Sequence, residues 1–428
     1  MTKYPTYKDS GIEWLGQIPT HWEMLKAKYM FQKNKREVQD GDKVITCFRD
    51  GQVTLRENRR TTGFTESITE IGYQGIRKGD LVIHQMDAFA GAIGVSDADG
   101  KGTSVYHCCT PKGEYLTYYY AHVIREMALK GYIQSLYRGI RERSSDFNYV
   151  TFGNCLLPVP SPSEQRQIVA YLDYKSNKIN ERVCQREREL QALSELKQAE
   201  IAAVVTRGLN PNVPMKESGI EWLGKIPAHW DVKRIASVSH EINDSNVTME
   251  YTQPSQFKFG EIVLKSIIGG GEYDENIKKC TLFKKNDILI NGLNLNYDFV
   301  TQRVAKSNYD GIITPAYIVI RVKDGLSADY AMFLFKSIDN KKIFNGWGTG
   351  IRLTLSYKEL KKQCIPIPPK EEQDAIVAYL QSRITFIDNY IAKLKEEINY
   401  LQEYKQRLIS DVVTGKVDVR GVEIPNEE

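Results

Sequence analysis

The chain has 428 residues, 41% of them hydrophobic and 26% charged, which places it among multi-domain globular proteins with apolar material for two or three cores. Its 58 basic and 54 acidic residues leave a formal charge of +4, a balance that neither demands nor excludes a polyanionic partner. No stretch approaches the run of about 18 apolar residues that spans a bilayer, and the N-terminus lacks the basic-then-apolar pattern of a secretory signal, so a cytoplasmic protein is expected.

The chain is written twice. Residues 7–26 read YKDSGIEWLGQIPTHWEMLK, and 208 positions later residues 215–234 read MKESGIEWLGKIPAHWDVKR, matching at 12 of 20 positions. The same shift carries Pro158-Val159-Pro160 onto Pro366-Ile367-Pro368, Glu164-Gln165 onto Glu372-Gln373, and IVAYL at 168–172 onto IVAYL at 376–380. One constant offset means two complete copies of one module. Between these borders the copies diverge, so one frame carries two payloads. Trp14, Leu15, Ile18 and Trp22 are expected to be packing anchors, with His21 beside them in a structural role.

The divergent blocks, roughly 20–157 and 228–365, read as α+β. In the first, GDLVI (79–83) and TSVYHCCTP (103–111) read as strands, with Asp99-Gly100 and Lys101-Gly102 as turns; residues 115–129 then read as a helix. In the second, NDILI (286–290) and PAYIVIRV (315–322) take comparable places, followed by a helix over 328–338. Residues 164–206 and 372–414 read as long helices. In the second, Leu380, Ile387, Leu394, Leu401 and Leu408 recur every seven residues, with Ile384, Ile391 and Ile398 on an interleaved line. The first keeps the frame through Leu172, Ile179, Val183, Leu190 and Leu193 but places Arg186, Lys197 and Glu200 on the seam. Either stripe alone would leave apolar surface in water, so the two helices are expected to pair as an antiparallel coiled coil with pseudo-twofold symmetry. A helix of this length spans about 65 Å. Ser163 is read as the N-cap of the first, with Gln167 reaching back, and Gly208 and Gly415 as the stops.

Chemistry is hard to find. There is no repeated carboxylate cluster for a metal, no Walker or GxGxxG spacing in the glycine-rich 91–94 and 268–271, no C-x-x-C pair among the seven cysteines, and six dispersed histidines. No metal site, cofactor or catalytic residue is expected in this chain. The pattern suits a binding subunit that borrows its catalysis.

The duplicated boxes SGIEWLGxIPxHW (10–22 and 218–230) and PxPxxxEQxxIVAYL (158–172 and 366–380), with the ends VVTRGL (204–209) and VVTGKV (412–417), resemble the specificity subunits of type I DNA restriction-modification systems over essentially the whole chain. The resemblance implies residues 1–160 as a first target recognition domain, 161–209 as a first spacer helix, 210–368 as a second recognition domain, 369–415 as a second spacer helix and 416–428 as a tail. It implies double-stranded DNA as ligand, two modification subunits docked on the helix pair, and restriction subunits joined through them. S-adenosylmethionine, ATP and magnesium would belong to those partners, in a prokaryotic cytoplasm, with no role for a membrane. Each unlike domain would read one half of a split, asymmetric target.

Candidate DNA-contacting residues are side chains suited to base edges or phosphates. In the first copy these are Arg59, Arg60, Gln85, Arg141 and Arg143. In the second they are Asn294, Asn296, Tyr297, Gln302, Arg303 and Arg352, with Lys341 and Lys342 assigned to phosphates. The rival readings are a solitary specificity-like DNA-binding regulator or decoy without enzyme partners, and a coiled-coil scaffold for other proteins.

Overall fold

The computed structural model describes residues 2–59, 72–136, 147–258, 260–265, 273–296 and 302–425. The chain divides into two compact units that do not follow its linear order. Unit 1 comprises residues 1–186 and 396–428, and unit 2 comprises residues 187–395. Both long helices are therefore shared: each gives its N-terminal half to one unit and its C-terminal half to the other.

In unit 1 the elements that matter are β1 (Glu23–Lys26), β2 (Phe31–Asn34), β3 (Leu81–His84), β4 (Ile93–Val95), β5 (Tyr106–Pro111), α1 (Thr117–Leu129), β6 (Leu156–Val159) and the long α2 (Pro162–Arg207). Strands β2-β5-β3-β4 form an antiparallel sheet in that order, and β1 pairs with β6. Unit 2 repeats the plan with β7 (Asp231–Arg234), β8 (Ser239–Glu241), β9 (Ile288–Ile290), β10 (Val304–Lys306), β11 (Ile318–Val322), α3 (Ala328–Asn340), β12 (Cys364–Ile367) and the long α4 (Lys370–Val413). Its sheet runs β8-β11-β9-β10, and β7 pairs with β12. Unit 2 also has a second four-stranded sheet that includes Pro254–Lys258 and Gly311–Ile313. The expected turn at Asp99-Gly100 and Lys101-Gly102 is instead a short strand, Gly100–Gly102, paired with Gln74–Ile76: the glycines serve close approach to Ile45 and Tyr106, not chain reversal.

The duplicated boxes meet at one place in each unit. Glu164, in the first turn of α2 and 3% exposed, accepts from Trp22 Nε1 at 3.1 Å and Tyr4 Oη at 2.6 Å, and lies 3.0 Å from His21 Nε2. In unit 2 Glu372 accepts from Trp230 Nε1 at 3.0 Å and lies 2.8 Å from His229 Nε2. The neighbouring glutamine is tied just as closely. Gln165 accepts from the Leu116 N–H and donates to the Pro160 carbonyl; Gln373 accepts from the Ser327 N–H and donates to the carbonyls of Pro368 and Gly325. A buried carboxylate is tolerated only when its oxygens find donors, and the helix N-terminus adds its own favourable field. The HW and EQ boxes are thus two halves of one clamp, and Trp22 and Trp230 are fully buried as anchors.

Capping departs from the pattern-based reading. Ser161, not Ser163, caps α2, its Oγ accepting from the Glu164 N–H at 3.3 Å. Gln167 reaches to the carbonyls of Val419 and Val422, so the tail is part of unit 1; its Val419 is fully buried and the Asp418 N–H donates to Thr2. At the far ends Gly208 (φ +77°) and Gly415 (φ +76°) stop the helices in left-handed conformation. A Cβ on Gly415 would strike Pro19 and Trp22, and one on Gly208 would strike Glu372 and Trp230. The clamp in each unit therefore seats the end of the helix that began in the other. Tyrosines close the arrangement: Tyr119 Oη donates to the Val413 carbonyl in unit 1, and Tyr330 Oη to the Val205 carbonyl in unit 2.

Within each unit the helix segments pack with opposite chain direction. In unit 1 Leu172 and Ile179 share a core with Leu408 and Val412, with Val183 and Leu401 at its margin. In unit 2 Ile201 and Val204 share a core with Ile376 and Leu380, with Ile384 at its margin. Ile387 and Leu394 are buried, and Leu190, Leu193, Ile391 and Ile398 are half-buried. The charged seam positions find partners on the facing segment: Arg186 pairs with Glu397 at 2.9 Å, Lys197 with Asp388, and Glu200 with Arg383 at 3.1 Å.

Removing the clamp carboxylate leaves indole and phenol donors buried without acceptors. Glu164→Ala is expected to cost about 1–3 kcal/mol. Glu372→Ala should cost less, because the Glu372 side chain is 26% exposed against 2% for Glu164. Urea unfolding midpoints of the two variants decide it; equal midpoints to the parent chain would show that the clamp is dispensable.

Candidate nucleic-acid interface

The loop after β9 is built as a platform in unit 2. Arg303 is only 3% exposed; its guanidinium donates to the carbonyls of Asn291, Leu293 and Asn294, and its backbone N–H to Asp339 Oδ2 at 2.8 Å. It staples the loop from behind and is not a base reader, which corrects the expectation from residue type. Gln302 is likewise occupied, donating to Asn340 Oδ1 at 3.1 Å. On this staple the chain places Leu295, 1% exposed, whose N–H donates to the Leu353 carbonyl, while Asn345 Nδ2 donates to the Leu295 carbonyl.

The facing segment is a tight turn. Thr349 and Thr354 exchange backbone hydrogen bonds at 3.1 and 2.9 Å, with Gly350 (φ +79°) and Leu353 (φ +40°) turning the chain between them. Its tip presents Ile351, 96% exposed, and exposed Arg352. Asn296 Nδ2 donates to the Ile351 carbonyl at 3.3 Å, and its Oδ1 is buried without a hydrogen-bond partner among the described residues. Asn294 is exposed and adopts φ +50°. The structure thus brings Asn294, Asn296 and Arg352 together on one loop pair. Lys341 is exposed where α3 ends, and Lys342, in the left-handed region at φ +55°, starts the short helix Ile343–Trp347. Tyr297 lies outside the described residues.

In unit 1, Gln85 follows β3 with its main chain pinned: its N–H donates to the Val105 carbonyl and its carbonyl accepts from Phe147. Beside it, Arg49 pairs with Asp87 at 2.9 Å, and burial lowers the pKa of the His84 imidazole despite the opposing Asp87 charge. Arg59 pairs with Asp50 at 2.7 Å and stacks over Phe48 at 4.3 Å. Exposed pairs of this kind contribute little to stability, so their exchange for a phosphate costs little. Arg60, Arg141 and Arg143 lie outside the described residues.

A second internal offset goes unnoticed when only the matched boxes are compared. A shift of 211 carries Tyr119 onto Tyr330, helix α1 onto α3, and Gly139-Ile140-Arg141 onto Gly350-Ile351-Arg352. It was obscured because the flanking residues differ and the offset departs by three from that of the borders. Arg141 and Arg352 are by this measure the same position of the two copies. Buried Asp80 and Asp287 correspond at yet another shift, 207: Asp80 is held by Arg36 and Asp287 by Arg321 at 2.7 Å, and these pairings, like that of Arg303, carry no readable period.

Among the described residues no group of His, Cys, Asp and Glu is arranged to hold a metal, and the cysteines are free thiols. Burial raises the pKa of the Cys108 and Cys155 thiols to about 12, which suits packing, not nucleophilic work. Glycines 91–94 form a turn into β4 (Gly91 φ +86°); residues 268–271 lie outside the described residues.

Comparison with known proteins converges on one family. Residues 228–400 match the model of the type I restriction modification DNA specificity domain. The MjaX type I restriction enzyme specificity subunit of Methanocaldococcus jannaschii is 22% identical over 432 residues, covering 95% of this chain and 96% of its own. The MjaVIII specificity subunit of the same organism is 25% identical over 305 residues, covering 63% of this chain and 64% of its own. Two solved structures share the fold. A chain from a study of complex assembly and conformational transition of the type I R-M system has a TM-score of 0.68 at 15% identity, covering 94% of this chain and 99% of that one. The HsdS subunit from Thermoanaerobacter tengcongensis has a TM-score of 0.51 at 16% identity, covering 94% and 98%. The matched domain falls on the second copy, boxes of that copy recur in the first at a shift of 208, and a relative aligns across both, so the chain is similar over its length to the type I restriction-modification specificity subunits.

Proposed function

We propose that each unit reads one half of a bipartite, asymmetric DNA target, while the two long helices set the number of unread base pairs between the halves and dock two modification subunits. The observation that supports it most directly is the repeated frame around divergent sequence: the same clamp, sheet order and helix exchange enclose blocks that differ between the copies almost throughout. Two unlike readers suit two unlike half-sites, and joining them makes the second contact intramolecular once the first has formed. In this reading the chain catalyses nothing. S-adenosylmethionine sits in the modification subunits that methylate adenine, and ATP and magnesium in the restriction subunits that translocate and cleave.

Arg352, with Arg141 as its counterpart, is the side chain best suited to a base edge: exposed, at a loop tip, and mounted on a braced platform. Lys341 suits phosphate contact.

The deciding experiment incubates DNA with this chain and its partner modification subunit and maps methylated adenines. Two short, different motifs at a constant gap are expected; scattered or palindromic methylation would refute the reading. Arg352→Ala should relax one position in one motif only, at a cost of about 1–3 kcal/mol in binding, with the melting temperature unchanged. Arg303→Ala should instead lower the melting temperature, since its guanidinium holds three loop carbonyls. Lys341→Ala should weaken binding to all sequences and reduce the salt-dependence slope by about 1.

A further inference from the structure

The helix pairing is neutralised differently in the two units. In unit 2 Lys197 Nζ donates to both oxygens of Asp388, at 2.6 and 2.8 Å. The shift of 208 converts this pair into Lys405 and Asn180, and in unit 1 Lys405 Nζ donates to Asn180 Oδ1 at 2.9 Å. The position and the hydrogen bond are kept, but the counter-charge is gone.

Lys405 lines a cleft of about 600 Å³ in unit 1, whose other charged and titratable lining residues are Arg49, Asp50, His122, Arg125, Glu126 and Asp173. Arg125 reaches into it from α1. One of its terminal nitrogens is fixed by the carbonyls of Arg49 and Gly91, and no carboxylate pairs with it among the described residues. The acids nearby are committed elsewhere or disfavoured as anions. Asp50 is taken by Arg59 at 2.7 Å, Glu126 by Lys130 at 3.4 Å and by Ser410, and burial raises the pKa of the Asp173 carboxyl. Two half-buried cations therefore face one cavity with no ion pair of their own among the described residues; only the more distant charge of Asp50, already paired with Arg59, compensates them, an arrangement that costs free energy until an anion arrives.

The equivalent cleft in unit 2 is an internal control. It measures about 420 Å³ and is lined by Lys336, at the position of Arg125, and Gln381, at the position of Asp173. There Lys306 is paired with Asp329 at 2.6 Å and Glu261 lines the cleft beside Lys336, while the seam lysine, which does not line it, is paired with Asp388. That cleft is compensated from within.

We propose that the unit 1 cleft binds a small phosphate-bearing molecule, its phosphate held between Arg125 and Lys405. Guanidinium and ammonium together suit a phosphate: the first offers a planar fork of donors, the second a mobile point charge. The volume lies within the range of roughly 300–1,000 Å³ usual for small-molecule sites, leaving room for the body of the ligand beside His122 and Asn180. None of the described residues assigned to DNA contact lines this cleft, although Arg59 pairs with its Asp50.

The test uses the full chain and inorganic phosphate as probe, against chloride at matched ionic strength, followed by thermal denaturation and calorimetric titration. The parent chain should show a saturable stabilisation by phosphate. Asn180→Asp, which recreates the Asp388 pairing, should raise the melting temperature without phosphate and weaken phosphate binding roughly tenfold or more. Lys405→Gln should weaken it similarly. In proton spectra His122, whose titration is held at about 4 by burial and by the Arg125 and Lys405 charges, should titrate at higher pH when phosphate is bound. An undiminished phosphate response in Asn180→Asp, a response no larger than that to chloride, or a loss confined to duplex binding would overturn the proposal.

Discussion

One carboxylate in each unit, buried in unit 1 and half-buried in unit 2, organises the molecule. Glu164 and Glu372 stand in the first turns of the long helices, where N–H groups and the helix dipole favour negative charge, yet their positions under an indole would be costly without donors. Trp22 with His21, and Trp230 with His229, supply those donors. The clamp ties the start of each copy to the start of its long helix, and the strand pairs β1–β6 and β7–β12 run beside it. Everything between the borders hangs from this knot, so the intervening sheets and loops are free to differ between copies.

The clamp also explains why neither copy closes on itself. Glycines 208 and 415 end the helices where a side chain would collide with the clamp tryptophan, and Tyr119 and Tyr330 bind carbonyls of the arriving helix. Each unit is thus finished by the end of the helix that began in the other copy. Apolar seams alone would tolerate slippage along the helix. The pairings Arg186–Glu397 and Glu200–Arg383 penalise it, because a shift would strand partly buried charges. The lysines at 197 and 405 occupy the same place in this scheme but meet different partners, an asymmetry that leaves Lys405 facing the unit 1 cleft with an amide where Lys197 has a carboxylate.

The recognition surfaces follow the opposite logic. A loop that must read chemistry outside the protein needs a rigid base and a free tip. In unit 2 the base is Arg303 and the tip is Arg352, two arginines of the same intrinsic chemistry with opposite fates. What separates them is a sheet edge: Arg303 opens β10 beneath three loop carbonyls, whereas Arg352 sits at the apex of a turn closed by Thr349 and Thr354.

Much of this was legible from the chain alone, for a physical reason. Repetition at 208, heptad spacing and the HW, PxP and EQ boxes record local and periodic requirements: an apolar stripe must be covered, a helix must start and stop, a tryptophan must be seated. These determined the two-copy plan, the long helices, their seam and the family resemblance. Contacts between residues far apart in sequence leave no period to read. That Glu164 answers Trp22, that Ser161 caps in place of Ser163, that the tail completes unit 1, that Arg303 is a staple, and that Lys405 faces a cavity with an amide for a partner were decided only by tertiary structure, because each depends on which distant backbone or side chain the fold delivers to the same few ångströms.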